Sequence, residues 1–136
     1  MRFIQEEDYQ VAARFLFLSM AIVVIDQDMQ IVQNGPFKIK EPYLKLLQTM
    51  AASARKERKA LRKKMKDQDI QVVRLNQNDS FTTYQFICRG KEESKSYFNP
   101  VIRKKVELIL EELIADSLQQ YRPSASSDGD GSPLNT

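Results

Sequence analysis

The stretch RKERKALRKKMK, residues 55–66, is the part of the chain best equipped to act on another molecule. It holds eight basic residues and one acid, a local charge of +7. The whole chain is +3, so the remainder sums to −4. On a helix, Arg55, Lys59, Arg62 and Lys66 fall in one narrow stripe, and Lys56 and Lys63 widen it. Such a row can neutralise successive phosphates of a nucleic acid, giving affinity that falls steeply with salt and carries no base readout. The plainer alternative is a solvated helix face, paired in part with the acids Glu107, Glu111, Glu112 and Asp116. Aromatic residues interleaved with the cations, the mark of a single-strand platform, are missing from this run.

No other combination of residues amounts to a reaction. The chain has no histidine, which excludes imidazole acid–base catalysis and histidine-containing metal sites. Its one cysteine, Cys88, allows neither a thiolate cluster nor an internal disulfide, and without an activating base it reads as a small packed side chain. Asp26-x-Asp28-x-Gln30 starts like a calcium loop, but Ile31 occupies the sixth position, where glycine is required. Asp26 and Asp28 stand two apart, so on a helix they do not face each other. Four glycines, two of them Gly129 and Gly131, leave no phosphate-cradling loop. These absences predict a protein that is not an enzyme, with no cofactor, no metal and no small-molecule ligand.

The elements that must carry the stripe follow from hydrophobic spacing. AIVVIDQDMQIVQNGPF, residues 21–37, admits a hairpin reading, with two apolar runs around Asp26-Gln27-Asp28. Against it, Val11, Phe15, Leu18, Ile22, Ile25, Met29 and Val32 recur at alternating intervals of four and three. That places them on one helical stripe running through the acidic pair. Asn34-Gly35-Pro36 is the stop, glycine accepting a left-handed cap and proline unable to continue the ladder. The spacing predicts a helix over 6–33. A second begins at Glu41-Pro42, where a missing first-turn N–H costs nothing, and runs to about Lys66. Tyr43, Leu47, Met50, Ala54, Leu61 and Met65 share its apolar face, with Arg58 at the edge. Two helices of ~40 Å joined by a short connection predict an antiparallel helical hairpin.

The texture then changes. Ile70 to Leu75 and Phe81 to Cys88 are rich in β-branched and aromatic residues, and Asn76 to Ser80 is turn chemistry. This predicts a two-stranded β-hairpin at about 70–89, with Val73, Tyr84 and Phe86 in the core. It could stand as a wing beside the basic helix, Arg74 and Arg89 near a duplex backbone, but no short helix–turn–helix precedes a recognition helix. Gly90 ends the hairpin, and Lys91 to Ser96 reads as a polar connector. Asn99 as cap and Pro100 at the first position open a third helix over 100–120. Its buried face is Ile102, Val106, Ile109, Leu110, Leu113 and Ile114. Residues 123–136, PSASSDGDGSPLNT, hold too few apolar side chains to offset the cost of ordering and are expected to be disordered. The predicted fold class is α+β, mainly α: a long antiparallel helical hairpin, a two-stranded β-hairpin and a C-terminal helix, in a single domain of residues 1–122.

The most apolar window, residues 11–25, contains Arg14 and is shorter than the ~18 residues of a membrane span. Glu6, Glu7 and Asp8 stand where a secretory signal needs an apolar core. A cytoplasmic protein with no membrane contact is expected. NGPFKIKEPYLKLL at 34–47 and RGKEESKSYFNPVIR at 89–103, with the helix–helix–hairpin–helix order, resemble the small YhjD-like proteins of Bacillus-type Gram-positive bacteria. The resemblance covers residues 10–115. It implies a cytoplasmic bacterial protein and a soluble domain, and it carries over no catalytic or binding residue. The expected function is a non-enzymatic protein-interaction or regulatory module. Self-association as a homodimer fits three apolar helix faces and a small sheet. The alternative is nucleic-acid binding through Arg55, Lys56, Lys59, Arg62, Lys63 and Lys66, with the β-hairpin as a wing.

Overall fold

The computed structural model describes residues 3–121; the tail expected at 123–136 lies outside them. Three helices, α1 (Glu6–Asn34), α2 (Glu41–Asp67) and α3 (Asn99–Gln120), enclose a core with one sheet of β1 (Ile70–Gln77), β2 (Phe81–Cys88) and β3 (Lys91–Phe98). α1 is a single helix through Asp26-Gln27-Asp28, so the hairpin reading of that stretch is excluded. Leu18, Ile22, Ile25 and Val32 of its stripe are buried, and so is a second row of Ala12, Ala13, Phe17 and Ala21. α1 is covered on more than one side because it meets α2, α3 and the sheet. The alanines let those neighbours approach closely. By length and composition alone, α1 is apolar enough to cross a membrane; here Leu18, Ala21 and Ile25 form the centre of the core.

α1 ends at Asn34, but not through a left-handed glycine. Gly35 has φ −90° and ψ −179°, ordinary extended backbone. What requires glycine is space: a Cβ there would lie 2.5 Å from the Ile31 carbonyl oxygen. α2 returns antiparallel, placing Leu44 beside Gln33 at one end and Lys64 and Gln68 beside Asp8 and Val11 at the other. Met50, Ala54 and Met65 are buried as their spacing predicts, whereas Tyr43 is 54% exposed and stacks against Phe37 in the connection.

The two-stranded hairpin is corrected by the sheet, which has three antiparallel strands in the order β1-β2-β3. Lys91 to Ser96 is no connector but most of β3, in unbroken register with β2 from Cys88↔Lys91 to Phe81↔Phe98. Arg89 (φ 48°) and Gly90 (φ 86°) form the two-residue turn between them, both in the left-handed region that suits the twist of a tight hairpin. β3 escaped notice because it is a polar edge strand: its inward positions Glu93 and Lys95 do ordinary polar work. Glu93 accepts the Ile4 N–H at 3.1 Å, and the Lys95 ammonium lies 4.3 Å from the Tyr9 ring centre. Only Tyr97 is buried. It is hydrogen-bonded to Tyr9 through their hydroxyls and meets Phe17 edge-on.

Tyr84 and Phe86 face the helices, but Val73 faces solvent and Val72 packs in its place. The strand pleat decides this, since neighbours point to opposite faces. α3 starts at Asn99, whose side chain does not cap its own helix; Phe98 is the cap residue. The Asn99 amide instead donates to the Asn78 and Asp79 carbonyls and accepts from Thr82, tying α3 to the β1–β2 turn. Val106, Ile109 and Leu113 are buried, while Ile114 is 37% exposed.

Candidate functional site

Residues 55–66 are helical because alanine, leucine, lysine and arginine are all strong helix formers, and Lys64 and Lys66 fall in the last turn, where cations suit the helix dipole. Arg55, Lys56, Lys59, Arg62, Lys63 and Lys66 are all exposed. Two have acidic partners. One Arg55 nitrogen donates to both carboxylate oxygens of Asp26 on α1, at 2.8 and 2.6 Å. Lys63 donates to Asp67 one turn on, at 2.9 Å, which raises its pKa. Among the described residues Lys56, Lys59, Arg62 and Lys66 make no ion pair.

The acids of α3 do not neutralise this stripe. Glu112 accepts from Arg14 at 2.9 Å and Glu107 lies 3.6 Å from Lys104, while Glu111 and Asp116 have no ion pair among the described residues. Arg14 is the hub here. Its Nε and Nη2 donate to the two Glu57 oxygens at 2.7 and 3.0 Å, and its Nη1 reaches Glu112. One side chain thus joins all three helices. The hydrogen bond to Glu57 holds its pKa above the ordinary value, against the opposing effect of burial. The one acid of the basic run is thereby turned inward, and its cations other than Arg58 face out.

Between the stripe and α1 runs a shallow groove of about 480 Å³. Ser19, Ile22 and Val23 line it from α1; Arg55, Arg58, Lys59 and Arg62 line it from α2. Val23 is 55% exposed, an uncovered apolar side chain on the floor. Arg58 is fixed in place: its Nε donates to Ser19 Oγ at 2.7 Å and its guanidinium lies 4.6 Å from the Phe15 ring centre. Sequence spacing set Arg58 at the edge of the apolar face but did not identify Ser19 or Val23. The available signal was that Val23 lies off the 4-3-4-3 stripe in a helix otherwise apolar at that level.

The remaining sequence candidates are structural. Arg89 donates to the Asp8 carboxylate at 2.6 Å and to the Gln68 carbonyl at 2.8 Å, so it latches α1, α2 and the β2–β3 turn and does not reach outward as a wing cation. Arg74 donates to Gln77 on its own strand. Cys88 is buried, donates to Asp8, and has its pKa pushed up chiefly by that burial, the reverse of an activated thiolate. Asp26 pairs with Arg55 and is not simply solvated. Among the described residues no group of three or more acidic or cysteine side chains is placed to hold a metal.

A family model described as YhjD protein matches residues 3–118. The chain is also similar to the "Uncharacterized protein YhjD" of Bacillus subtilis (strain 168), at 35% identity over 107 residues, covering 79% of this chain and 89% of that protein. No solved structure matches it.

Proposed function

The chain belongs to the YhjD family, and we propose that it is a non-enzymatic cytoplasmic interaction module that docks an acidic, amphipathic segment of a partner protein in the α1–α2 groove. One observation carries this reading: the cations of α2 border an apolar floor of Ile22 and Val23. A duplex backbone offers phosphates but no apolar side chains to such a floor. An amphipathic helix offers both an apolar row and acids beside it. Arg58, pinned to Ser19, and Lys59 and Arg62, which make no ion pair among the described residues, would together meet that acidic flank.

Two variants separate the readings. Val23→Asp spoils the floor and leaves the cations; Lys59→Glu with Arg62→Glu reverses the rim and leaves the floor. A co-purifying protein lost with both variants is the expected result. Retention on duplex DNA at ~50 mM salt, lost on rim reversal and indifferent to Val23→Asp, would make the surface a nucleic-acid site instead.

A further inference from the structure

α3 carries a second surface that involves none of the groove residues. Val101, Leu108 and Ala115 recur every seven residues on the side turned away from the buried Val106, Ile109 and Leu113. Val101 is 43% and Leu108 47% exposed, and Ala115 is exposed as well. Around this row the charges are sorted by position. Lys104 and Lys105 flank it in the first half of the helix and Glu111 and Glu112 in the second; Glu107 is the one acid of the first half. A helix face with an apolar row and opposite charge at its two ends is complementary to itself, but only when the second helix runs the other way.

We propose that this face binds a second copy of the chain, α3 packing antiparallel on α3 about a two-fold axis at Leu108. Setting Leu108 against Leu108 of the second copy fixes every other pairing. Val101 meets Ala115, and because the two-fold keeps each flank of the helix against the same flank of its copy, Lys104 meets Glu111 and Lys105 meets Glu112, each occurring twice by symmetry. That is the isologous pattern of a closed dimer, with a seven-residue apolar seam and flanking ion pairs. A parallel arrangement sets Lys104 against Lys104 and Glu111 against Glu111, so charge selects the antiparallel one.

The protomer leaves these groups available. Glu111 makes no ion pair among the described residues, and Lys104 only the 3.6 Å contact with Glu107. Glu112 uses one oxygen for Arg14 and keeps the other. Lys105 lies 5.6 Å from the Phe17 ring centre and makes no ion pair among the described residues. Beside Leu108, a hollow of about 250 Å³ between α1 and α3, lined by Gln10, Ala13 and Arg14, has room for an apolar side chain from the second copy. A contact of about four helical turns is smaller than a standard interface, so the association is reversible and depends on concentration.

The test is charge reversal with rescue, read by sedimentation or light scattering at roughly 100 μM, a concentration suited to a small interface. The unmodified chain should show twice its 15.8 kDa mass. Lys104→Glu alone and Glu111→Lys alone should each run as monomers, since each sets like charges opposite one another twice. Mixed one to one, they should recover the dimer, because every new charge then meets its opposite on the other chain. Both positions are exposed, and recovery on mixing shows that both variants are folded. A monomer for the unmodified chain overturns the proposal. So does a dimer indifferent to both substitutions, or a mixture that stays monomeric.

Discussion

Arg14→Met tests whether one guanidinium ties the three helices together. Methionine keeps most of the unbranched stem and removes only the charged fork, so the loss reports the hydrogen bonds rather than the packing. The fork makes three of them, two to Glu57 at 2.7 and 3.0 Å and one to Glu112 at 2.9 Å. The side chains are 32% exposed for Arg14, 39% for Glu57 and 57% for Glu112. A desolvated charge-assisted bond contributes about 1.5–3 kcal/mol, but at this exposure solvent screening brings the bidentate Glu57 pair to about 1 kcal/mol and the Glu112 arm to a few tenths. Arg14→Met should therefore cost about 1.5 kcal/mol, or about 6 °C in Tm for a domain of this size. Arg14→Ala, which also strips the stem, should cost about 1 kcal/mol more. Urea melts of a double-mutant cycle separate the arms: coupling to Glu57→Gln should exceed coupling to Glu112→Gln several-fold. An Arg14→Met variant within about 0.5 kcal/mol of the parent, or equal coupling to both acids, would falsify the hub.

Two further outcomes follow from the fold. Gly35→Ala puts a Cβ 2.5 Å from the Ile31 carbonyl and should cost about 1–2 kcal/mol in urea melts; Gly90→Ala, at φ 86° but in open space, should cost no more than about 1 kcal/mol. Alkali should weaken the protein. Burial, and then the bond with Tyr9, push the Tyr97 hydroxyl above its ordinary 10.0, and burial raises Tyr84 from 10.0 and Cys88 from 9.0. The unfolded chain gives up these protons first, so stability holds below about pH 9 and falls above it. The urea midpoint should drop from pH 8 to about pH 10.5, and drop less in Tyr97→Phe; equal slopes in both proteins would count against it.

What the sequence made legible follows the strength of each physical signal. α1 was readable because seven apolar residues hold a helical interval across Asp26-Gln27-Asp28, and only a continuous helix keeps them on one face. Its second buried row was not, because Ala12, Ala13 and Ala21 carry little hydrophobic signal and matter by being small. β3 was missed for the opposite reason. Its stability comes from the backbone ladder to β2 and from polar contacts of Glu93 and Lys95, and neither leaves an apolar alternation to read. Gly35 was recognised as a stop for the wrong cause, conformation rather than the absent Cβ. The basic stripe was legible as charge, yet its apolar neighbour Val23 stands on another helix, and no spacing within α2 could announce it.

The charge of that stripe is set by where the acids go. Glu57 lies inside the basic run and could have neutralised it, but Arg14 draws it inward with Glu112. Asp26 is held by Arg55 and Asp67 by Lys63, at the two ends of the stripe. Those pairings leave Lys56, Lys59, Arg62 and Lys66 facing solvent with their mutual repulsion uncompensated. An exposed face needed only for solubility would gain by mixing in acids. A single-sign row beside an uncovered Val23 carries a cost within the protomer that an acidic amphipathic partner would relieve. The same reasoning sets α3 apart. There Lys104 and Lys105 stand on one side of Leu108 and Glu111 and Glu112 on the other, an arrangement that a second copy running the other way would neutralise.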